Sequence, residues 1–182
     1  MKVAVVILAG GEGSRIGGGK PLRVLGGKRL IDRAETMARQ WSDIVAIAVR
    51  EPAQAGGARA TLIVDEQGIE GPLAGLAAAL RFASASGCRA ALTIPADMPF
   101  LPSDFGQRLS GAMENEHAAI ASSGGHLHPV CGLWPVAALD EMAAYLASAG
   151  VRSRALPKRW GSGRSNGRQI RTPSSTSTRQ KT

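Results

Sequence analysis

The chain has few of the residues that mark a secreted, disulfide-linked or membrane-spanning protein. Its 182 residues include two cysteines, Cys88 and Cys131, in apolar surroundings and without the spacing of metal ligands. No apolar run approaches the ~20 residues of a transmembrane helix. The N-terminus lacks the cleavage pattern of a signal peptide. We therefore expect buried free thiols, no membrane partner and a cytoplasmic location.

Acidic residues are absent from the last part of the chain. Residues 151–182 contain nine of the 22 lysine and arginine residues and none of the 14 acidic residues. Residues 1–150 therefore contain thirteen basic and fourteen acidic side chains and have a net charge of −1, although the whole chain has +8. A nucleic-acid-binding domain spreads its basic residues over a folded face. We expect no nucleic-acid partner for residues 1–150.

Apolar, β-branched stretches alternate with alanine- and leucine-rich stretches of helical spacing. The predicted strands are 2–9, 43–49, 60–65, 89–99, 117–122 and 128–135, and the predicted helices are 30–41, 72–87, 102–113 and 136–150. Near-continuous apolar strands separated by helices are typical of a doubly wound, mostly parallel sheet. We predict a single α/β domain over residues 1–150, with a Rossmann-like N-terminal half.

A glycine-rich segment directly follows the first predicted strand. Residues 8–20 read LAGGEGSRIGGGK. Glycine lets backbone N–H groups approach a ligand closely, and several consecutive amides form a concavity that suits an anion. Arg15 and Lys20 add two positive charges, so we expect a nucleoside triphosphate here. Ligands of doubly wound sheets lie beyond the carboxyl ends of the strands, where Asp65 and Asp97 also fall.

Two other phosphate-binding patterns fit this loop less well. The segment does not match the P-loop pattern, because its lysine is followed by Pro21 and because Ser14 stands where the pattern requires the first glycine. A dinucleotide fingerprint is closer, since Gly11, Gly13 and Gly17 fit its looser spacing, but it leaves both cations of the loop unexplained. An NADP-binding module therefore stays open as an alternative, as does a glycine-rich surface loop with solvated charges.

The carboxylates at the predicted strand ends suggest a metal site. Asp97 stands in TIPADMPF, where proline on both sides restricts the backbone. Mg²⁺ prefers one or two carboxylates together with phosphate oxygens and water, so Asp97 is predicted to bind Mg²⁺; a turn or helix-cap role is the alternative. Asp65 would contact the ribose or the base of a nucleotide. The alternative is that it is a turn residue at the end of its strand and contacts no ligand. Residues 71–75 begin a predicted helix, and the free N–H groups of its first turn would face a base or a phosphate. The alternative is that these residues only begin the helix and bind no ligand.

Residue types, as well as glycine spacing, match a nucleotidyltransferase loop of the form L-A-G-G-x-G-x-R-(M/I)-G followed by lysine. Together with DEQGIEGPLAGLAAAL, TIPADMPFLP and HPVCGLWP, this loop makes residues 1–150 resemble the molybdenum cofactor guanylyltransferase family. The resemblance implies a fold of the nucleotide-diphospho-sugar transferase type. It implies an enzyme that transfers GMP from Mg·GTP to molybdenum-molybdopterin, releasing pyrophosphate and forming the guanine dinucleotide cofactor. It also implies molybdoenzyme maturation proteins as partners.

The resemblance also assigns roles to individual residues. The loop amides and Lys20 would hold the triphosphate, Arg15 would neutralise charge on the leaving group, and Asp97 would bind both GTP and Mg²⁺. The catalytic residues are then Arg15, Lys20 and Asp97. The nucleotide-binding residues are Leu8, Ala9, Gly10, Gly11, Gly13, Lys20, Asp65 and Asp97. His128 would lie toward the pterin side, unless His126 and His128 are ordinary loop residues.

The chain departs from the family in two places. The usual Gly-Gly-x-Asp-Lys is shortened to residues 17–20, which loses the aspartate and keeps the lysine. An asparagine expected after the second strand is missing, and residues 48–50 read AVR there. The second departure keeps open a cytidylyltransferase, or another nucleotidyltransferase, as the alternative enzyme.

Residues 151–182 have no apolar periodicity and many turn-forming residues, so composition predicts a basic, irregular and disordered tail. The family ends in N-x-N-T-P-E-D-L beside the pterin substrate, and this motif is absent here. Codons permitted for residues 171–182 read DPFFNINTPED in another frame. We interpret the tail as the family ending after a frameshift near residues 151–154, which predicts weak or absent transfer to the pterin. A real basic tail that binds RNA or acidic partners is the alternative, and resequencing the gene separates the two.

Overall fold

The computed structural model describes residues 1–11, 19–69, 71–113, 118–124, 126–149 and 170–171. Nine strands and four α-helices lie in these residues. In chain order they are β1 Val3–Leu8, β2 Val24–Leu25, β3 Lys28–Arg29, α1 Leu30–Ala38, β4 Val45–Val49, β5 Thr61–Val64, α2 Pro72–Ala85, β6 Ala90–Pro95, α3 Phe105–Ala112, β7 Ala119–Ser123, β8 His126–Pro135, α4 Ala138–Ala149 and β9 Ile170–Arg171. The α/β fold predicted from the sequence is confirmed.

Seven of the strands form one sheet in the order β5-β4-β1-β6-β8-β7-β9. Strands β5, β4, β1 and β6 are parallel, with Leu8 opposite both Ala48 and Pro95. The carboxyl ends of these four strands therefore open on the same edge of the sheet. This edge is where a doubly wound sheet holds its ligands.

The sheet is buried on both faces. Val5 and Ile7 of β1 pack in a cluster with residues of α1 and α3, whereas Ala4 and Val6 pack with residues of α2 and α4. Successive side chains of a strand point to opposite faces, so the run VAVVIL supplies apolar contacts to both layers. This explains why the strand is apolar throughout rather than alternating.

A buried hydrogen-bonded pair joins the parallel part of the sheet to β8. Trp134 is fully buried, and its Nε1–H donates to Thr93 Oγ1 at 2.9 Å. Thr93 Oγ1 in turn donates to the carbonyl of Gly132 at 3.3 Å. A Cβ at Gly132 would lie 2.9 Å from Trp134 Nε1, so the indole ring lies directly against the backbone there.

Strand β8 is antiparallel to its neighbours β6 and β7, so the sheet is mostly parallel, as predicted, and β8 is the strand whose direction differs from that of its neighbours. Only two residues separate β7 from β8, and Gly124 has φ +55°. A two-residue connection can join only antiparallel strands. The same finding corrects the interpretation of His126 and His128 as ordinary loop residues, because both lie in β8.

The sequence did not predict the short elements between β1 and α1, which are a 3₁₀ turn at Lys20–Leu22 and the hairpin of β2 and β3. In the tail, the structure describes Ile170–Arg171 as a strand parallel to β7, which the sequence did not predict either. The other tail residues, and with them the frameshift interpretation, lie outside the described residues.

Both cysteines are free and buried, as expected. Among the described helices, none combines the length and the apolar character needed to cross a bilayer.

Candidate active site

A cavity of about 370 Å³ lies at the edge where the parallel strands end. Its walls include residues 8–11 after β1, Arg50 after β4, Asp65 after β5 and Asp97 after β6. Every predicted catalytic or nucleotide-binding residue that the structure describes lines this cavity, including Lys20. Gly13 and Arg15, which were also predicted, lie outside the described residues.

Backbone hydrogen bonds fix the start of the glycine loop against the strands on either side of it. The N–H of Ala9 donates to the carbonyl of Ala48 at 2.8 Å, and the N–H of Ala96 donates to the carbonyl of Leu8 at 3.0 Å. The loop and the segment carrying Asp97 are therefore adjacent because β1 and β6 are paired. Sequence proximity has no part in this contact.

Lys20 and Asp97 both line the cavity and form an ion pair there, with Nζ 3.9 Å from Oδ2. Gly19 precedes the lysine at φ +67°, and Pro21 follows it in the 3₁₀ turn. The two side chains are 41% and 46% exposed. An ion pair at this exposure contributes about 0–1 kcal/mol to stability. The pair therefore matters little for folding, and both charges are accessible to a ligand.

Asp65 is a half-buried carboxylate on the opposite wall. Its backbone N–H donates to the carbonyl of Val49 at 2.8 Å, which continues the β4–β5 pairing by one residue. Its Oδ1 is the one buried side-chain oxygen among the described residues that has no hydrogen-bond partner. Burial raises the pKa of Asp65, and the charge of Arg50 opposes this shift. A buried oxygen without a donor costs about 1–3 kcal/mol, so a ligand donor here would recover that cost.

Two glycines make the space that Asp65 occupies. A Cβ at Gly10 would lie 2.3 Å from Asp65 Oδ2, and a Cβ at Gly75 would lie 3.4 Å from Oδ1 and 3.2 Å from Leu8 Cδ2. Real Cβ atoms essentially never make the shorter of these contacts. Glycine at position 10 is therefore required by the carboxylate beside it.

We expect Gly10→Ala to lower the free energy of unfolding by about 1–3 kcal/mol, because the new methyl group overlaps the Asp65 carboxylate and the wall must shift. Thermal unfolding without ligand measures this loss. Gly11→Ala is the matched control, since a Cβ there meets no atom of the described residues within 4 Å. Equal unfolding temperatures for the two variants would contradict the steric account.

The N-terminus of α2 closes the cavity beside Asp65. Gly71 precedes the helix at φ +72° and ψ −155°, a conformation open to glycine, and Pro72 occupies the first turn. Gly71, Pro72 and Gly75 all line the cavity. The free N–H groups and dipole of a helix N-terminus favour an acceptor or an anion. The predicted role of residues 71–75 toward the ligand is therefore compatible with their position.

Five further lining residues were missed as site residues from the sequence, among them Pro95 and Ala96 directly before Asp97. Arg50 follows β4 in the region where the family's asparagine was expected, and Pro21 and Val130 complete the wall. The rule that ligands lie beyond the carboxyl ends of parallel strands would have found Arg50. No local sequence pattern would have predicted that Val130 lines the cavity, because it lies in β8, a strand distant in sequence from the other lining residues.

A second cavity, of about 360 Å³, adjoins the first. Among the residues that line the two cavities, Asp97 alone is common to both. His128 and Cys131 form part of its wall. Burial, assisted by the nearby Asp97 carboxylate, raises the pKa of the Cys131 thiol to about 12. Cys131 is therefore a neutral thiol at physiological pH and has no role as a thiolate nucleophile.

The donor set of the first cavity fits a magnesium ion that shares its ligands with a nucleotide. Within the described part of the chain, no group of three or more histidine, cysteine or acidic residues is placed to hold a metal alone. The cavity instead offers the accessible carboxylate of Asp97 and the partly buried one of Asp65. One or two carboxylates completed by phosphate oxygens and water is the arrangement that Mg²⁺ prefers.

Comparisons with known proteins identify the family to which the chain belongs. Residues 5–160 match the family model described as the MobA-like NTP transferase domain. The chain is 41% identical over 166 residues to a molybdenum cofactor guanylyltransferase of Cereibacter sphaeroides, covering 90% of this chain and 85% of that protein. A protein of the same name from a Bradyrhizobium species is 38% identical over 154 residues, covering 81% and 73%.

A solved structure is similar to this one in sequence as well as in fold. The crystal structure of molybdopterin-guanine dinucleotide biosynthesis protein A from Archaeoglobus fulgidus superposes with a TM-score of 0.64 at 28% identity, covering 82% of this chain and 74% of that one. The family model spans most of the chain, from residue 5 within β1 to residue 160 beyond α4. The chain therefore belongs to the MobA-like NTP transferase family and is a nucleotidyltransferase.

Proposed function

We propose that this protein transfers the GMP part of GTP to molybdopterin, releasing pyrophosphate and forming the guanine dinucleotide form of the molybdenum cofactor. The observation that carries the proposal is the first cavity, where a glycine loop, a lysine and two carboxylates meet at the carboxyl ends of four parallel strands. The names of the relatives supply the choice of GTP and of molybdopterin.

The triphosphate would lie against the start of the glycine loop. The backbone of residues 8–11 lines the cavity there, and Lys20 lies across from it. Backbone N–H groups and an ammonium group favour phosphate oxygens. Mg²⁺, held by Asp97 and the phosphates, would supply charge neutralisation on the reacting phosphate groups. Arg15, predicted to stabilise the leaving group, remains part of this proposal.

Asp65 is suited to hydrogen-bond donors of the nucleoside. Its buried Oδ1 needs a donor, and it accepts none from the described residues. A guanine base offers N1–H and N2–H groups along one edge, and the ribose offers hydroxyl groups. Either donor would satisfy Oδ1 and favour the ionised form, reversing the effect of burial on its pKa. The nucleoside thus completes a site that is under-satisfied alone.

The proposed reaction is a displacement at the α-phosphorus of GTP. An oxygen of the acceptor's phosphate forms a bond to the α-phosphorus, and the bond from the α-phosphorus to the bridging oxygen of the β-phosphate breaks. Pyrophosphate leaves with the electron pair of that bond. Such a transfer depends mainly on positioning and charge stabilisation, and Lys20 and Asp97, whose charged groups lie close together in the cavity, would provide these.

A pyrophosphate-release assay with molybdopterin tests the proposal and its enzymatic alternative together. We expect Mg²⁺-dependent release with GTP and at most a small fraction of that rate with CTP, and the rate with GTP will be low if the tail is the family ending after a frameshift. Binding is measured separately by thermal shift with each nucleotide, because a ligand of the folded state raises the unfolding temperature by mass action. A preference for CTP would replace the guanylyltransferase by a cytidylyltransferase. Binding of NADPH but of neither triphosphate would overturn both.

A further inference from the structure

Positive charge is concentrated in one short part of the sequence. Residues 20–39, which run from the 3₁₀ turn through the β2–β3 hairpin to the end of α1, contain six basic and two acidic side chains. Residues 40–149 contain five basic and eleven acidic side chains. The near-neutral charge of residues 1–150 therefore conceals a basic segment of net charge +4 beside a longer acidic one.

A polar groove of about 740 Å³ lies along this basic segment, between α1 and residues 57–59. Its charged lining residues are Lys28, Arg29, Asp32, Glu35, Arg39 and Arg59. Four cations against two carboxylates give the polar groove an excess of positive charge, which attracts an anionic ligand. Among the described residues, none lines both the polar groove and the first cavity.

Both carboxylates are already held by arginines of the polar groove. Arg29 donates to the two oxygens of Asp32 at 2.7 Å, and these hydrogen bonds lower the pKa of that carboxyl. Arg39 donates from Nε and Nη2 to Glu35 Oε1, and the backbone N–H of Arg59 donates to Oε2 at 3.3 Å. The two acids therefore hold Arg29 and Arg39 in place and leave the other cations of the groove for a ligand.

The remaining cations are Lys28 and Arg59. Both residues are exposed, and neither side chain forms a hydrogen bond or an ion pair with the described residues. A carboxylate pairs well with an ammonium group, and the planar guanidinium of Arg59 matches its two oxygens. The polar groove therefore has two separate positions for the carboxylates of a ligand.

Hydrogen bonds fix the walls of the polar groove to one another. Arg29 Nη1 donates to the carbonyl of Gly56 at 2.5 Å, which connects the start of α1 to the segment between β4 and β5. Arg33 of α1 donates to the carbonyls of Leu25 and Gly26, which connects the helix to the hairpin. A surface whose shape is set before binding loses less conformational entropy when a partner docks.

Two aliphatic side chains are exposed on the hairpin beside the polar groove. In the β2–β3 pairing, Leu25 lies opposite Lys28, and Val24 lies opposite Arg29. Each is therefore the cross-strand neighbour of a cation that lines the groove. Val24 is 67% exposed and Leu25 is 40% exposed. This combination suits a protein segment, because a small polyanion has no apolar group to bury there. Single-stranded nucleic acid stacks on aromatic rings, and none of the described lining residues is aromatic.

We propose that the polar groove and the hairpin bind an acidic segment of a partner protein. Carboxylates of the segment pair with Lys28 and Arg59, and an aliphatic side chain of the segment packs on Leu25. Strand β2 begins three residues after Pro21, which lines the first cavity. The partner is therefore held next to the active site while the first cavity stays open to the nucleotide. This inference does not depend on which nucleotide or acceptor the enzyme uses.

Fluorescence anisotropy with the labelled peptide EELEELEELEEL and the full-length protein tests this docking surface. We expect saturable binding that weakens as salt is added. The double variant Lys28→Glu/Arg59→Glu should bind at least about tenfold more weakly, because two attractions become repulsions. Lys2→Glu/Arg89→Glu is the matched control, since it changes the net charge equally just before β1 and β6, outside the groove. The control should bind within about twofold of the wild type.

Two further measurements locate the peptide on the protein. Leu25→Ser should weaken binding about three- to tenfold, and it should not affect a peptide in which serine replaces leucine. A photoactivatable group on the peptide should cross-link to the hairpin and to residues 57–59. Residues 151–182 are basic as well but are the same in every variant, so they do not account for a difference between the two double variants.

Equal affinities of the two double variants, or cross-links to residues 151–182 alone, would overturn the proposal. Tighter binding of tripolyphosphate or of a single-stranded RNA than of the peptide would overturn it in favour of a phosphate-binding site. A wild-type dimer that Lys28→Glu/Arg59→Glu abolishes would overturn it in favour of a second copy of this chain. Mg·GTP affinity, which these variants should leave unchanged, separates every one of these outcomes from failure of the proposed function.

Discussion

Replacing Lys20 with alanine is expected to weaken the binding of Mg·GTP about 10- to 100-fold. Loss of a charge-assisted hydrogen bond to a ligand costs about 1.5–3 kcal/mol, and Lys20 is the lysine that lines the nucleotide cavity. Its exposed ion pair with Asp97 contributes about 0–1 kcal/mol. The variant should therefore unfold at nearly the wild-type temperature, so the loss of affinity will not be a loss of fold.

Isothermal titration with Mg·GTP measures the effect, and Lys28→Ala is its control. Lys28 lies eight residues further along, in β3, and lines the polar groove beside α1. It carries the same charge without touching the nucleotide cavity. A Lys20→Ala protein with wild-type affinity would remove the triphosphate from this cavity, and with it the proposed function.

Asp97→Asn is expected to lower the rate of pyrophosphate release by about 10²–10³-fold. This is the range for removing one group that stabilises charge at the reacting centre of an enzyme. Asparagine keeps the size of the side chain, and Asp97 is nearly half exposed, so the folded structure should persist. The variant loses the one carboxylate that borders both cavities.

The dependence of GTP binding on magnesium gives a second readout for Asp97. Without Mg²⁺, the carboxylate repels the phosphates, so Asp97→Asn should bind GTP at least as tightly as the wild type. With Mg²⁺, the wild type should gain affinity and the variant should gain much less. Asp104→Asn, an exposed acid at the start of α3 outside both cavities, should behave like the wild type. An unchanged response of Asp97→Asn to magnesium would place the metal ion elsewhere.

The sequence predicted the core elements well because their patterns are local. The run VAVVIL is apolar at every position, as a strand covered on both faces must be, and β1 lies there. Pro72, which follows Gly71, indicated the start of α2 because proline is favoured in the first turn of a helix. The direction of β8 was not predicted, because an apolar pattern marks a strand without giving its direction, which the two-residue connection at Gly124 decides.

The candidate site was partly predictable for a similar reason. Glycine spacing and the two cations mark residues 8–20 as a phosphate loop, and Asp97 stands out between prolines. The second cavity was not predicted, because its walls come from distant segments. Phe100 and His128, which both line it, are 28 residues apart in the sequence. A bulge in β8, whose residues 129–131 lie opposite no residue of β7, brings the strand residues to this wall.

Apolar periodicity, glycine content and charge are properties of single segments, so the strands, the helices and the residues with phosphate-binding or carboxylate chemistry could be recognised from the amino-acid order. Which of these residues meet depends on how the strands pair and pack. Parallel pairing of β1 with β4 and β6 brings the glycine loop, Arg50 and Asp97 to one edge. Close packing of Gly10 and Gly75 around Asp65 leaves one buried oxygen without a donor. These contacts depend on strand order and on backbone separation, which no local pattern encodes.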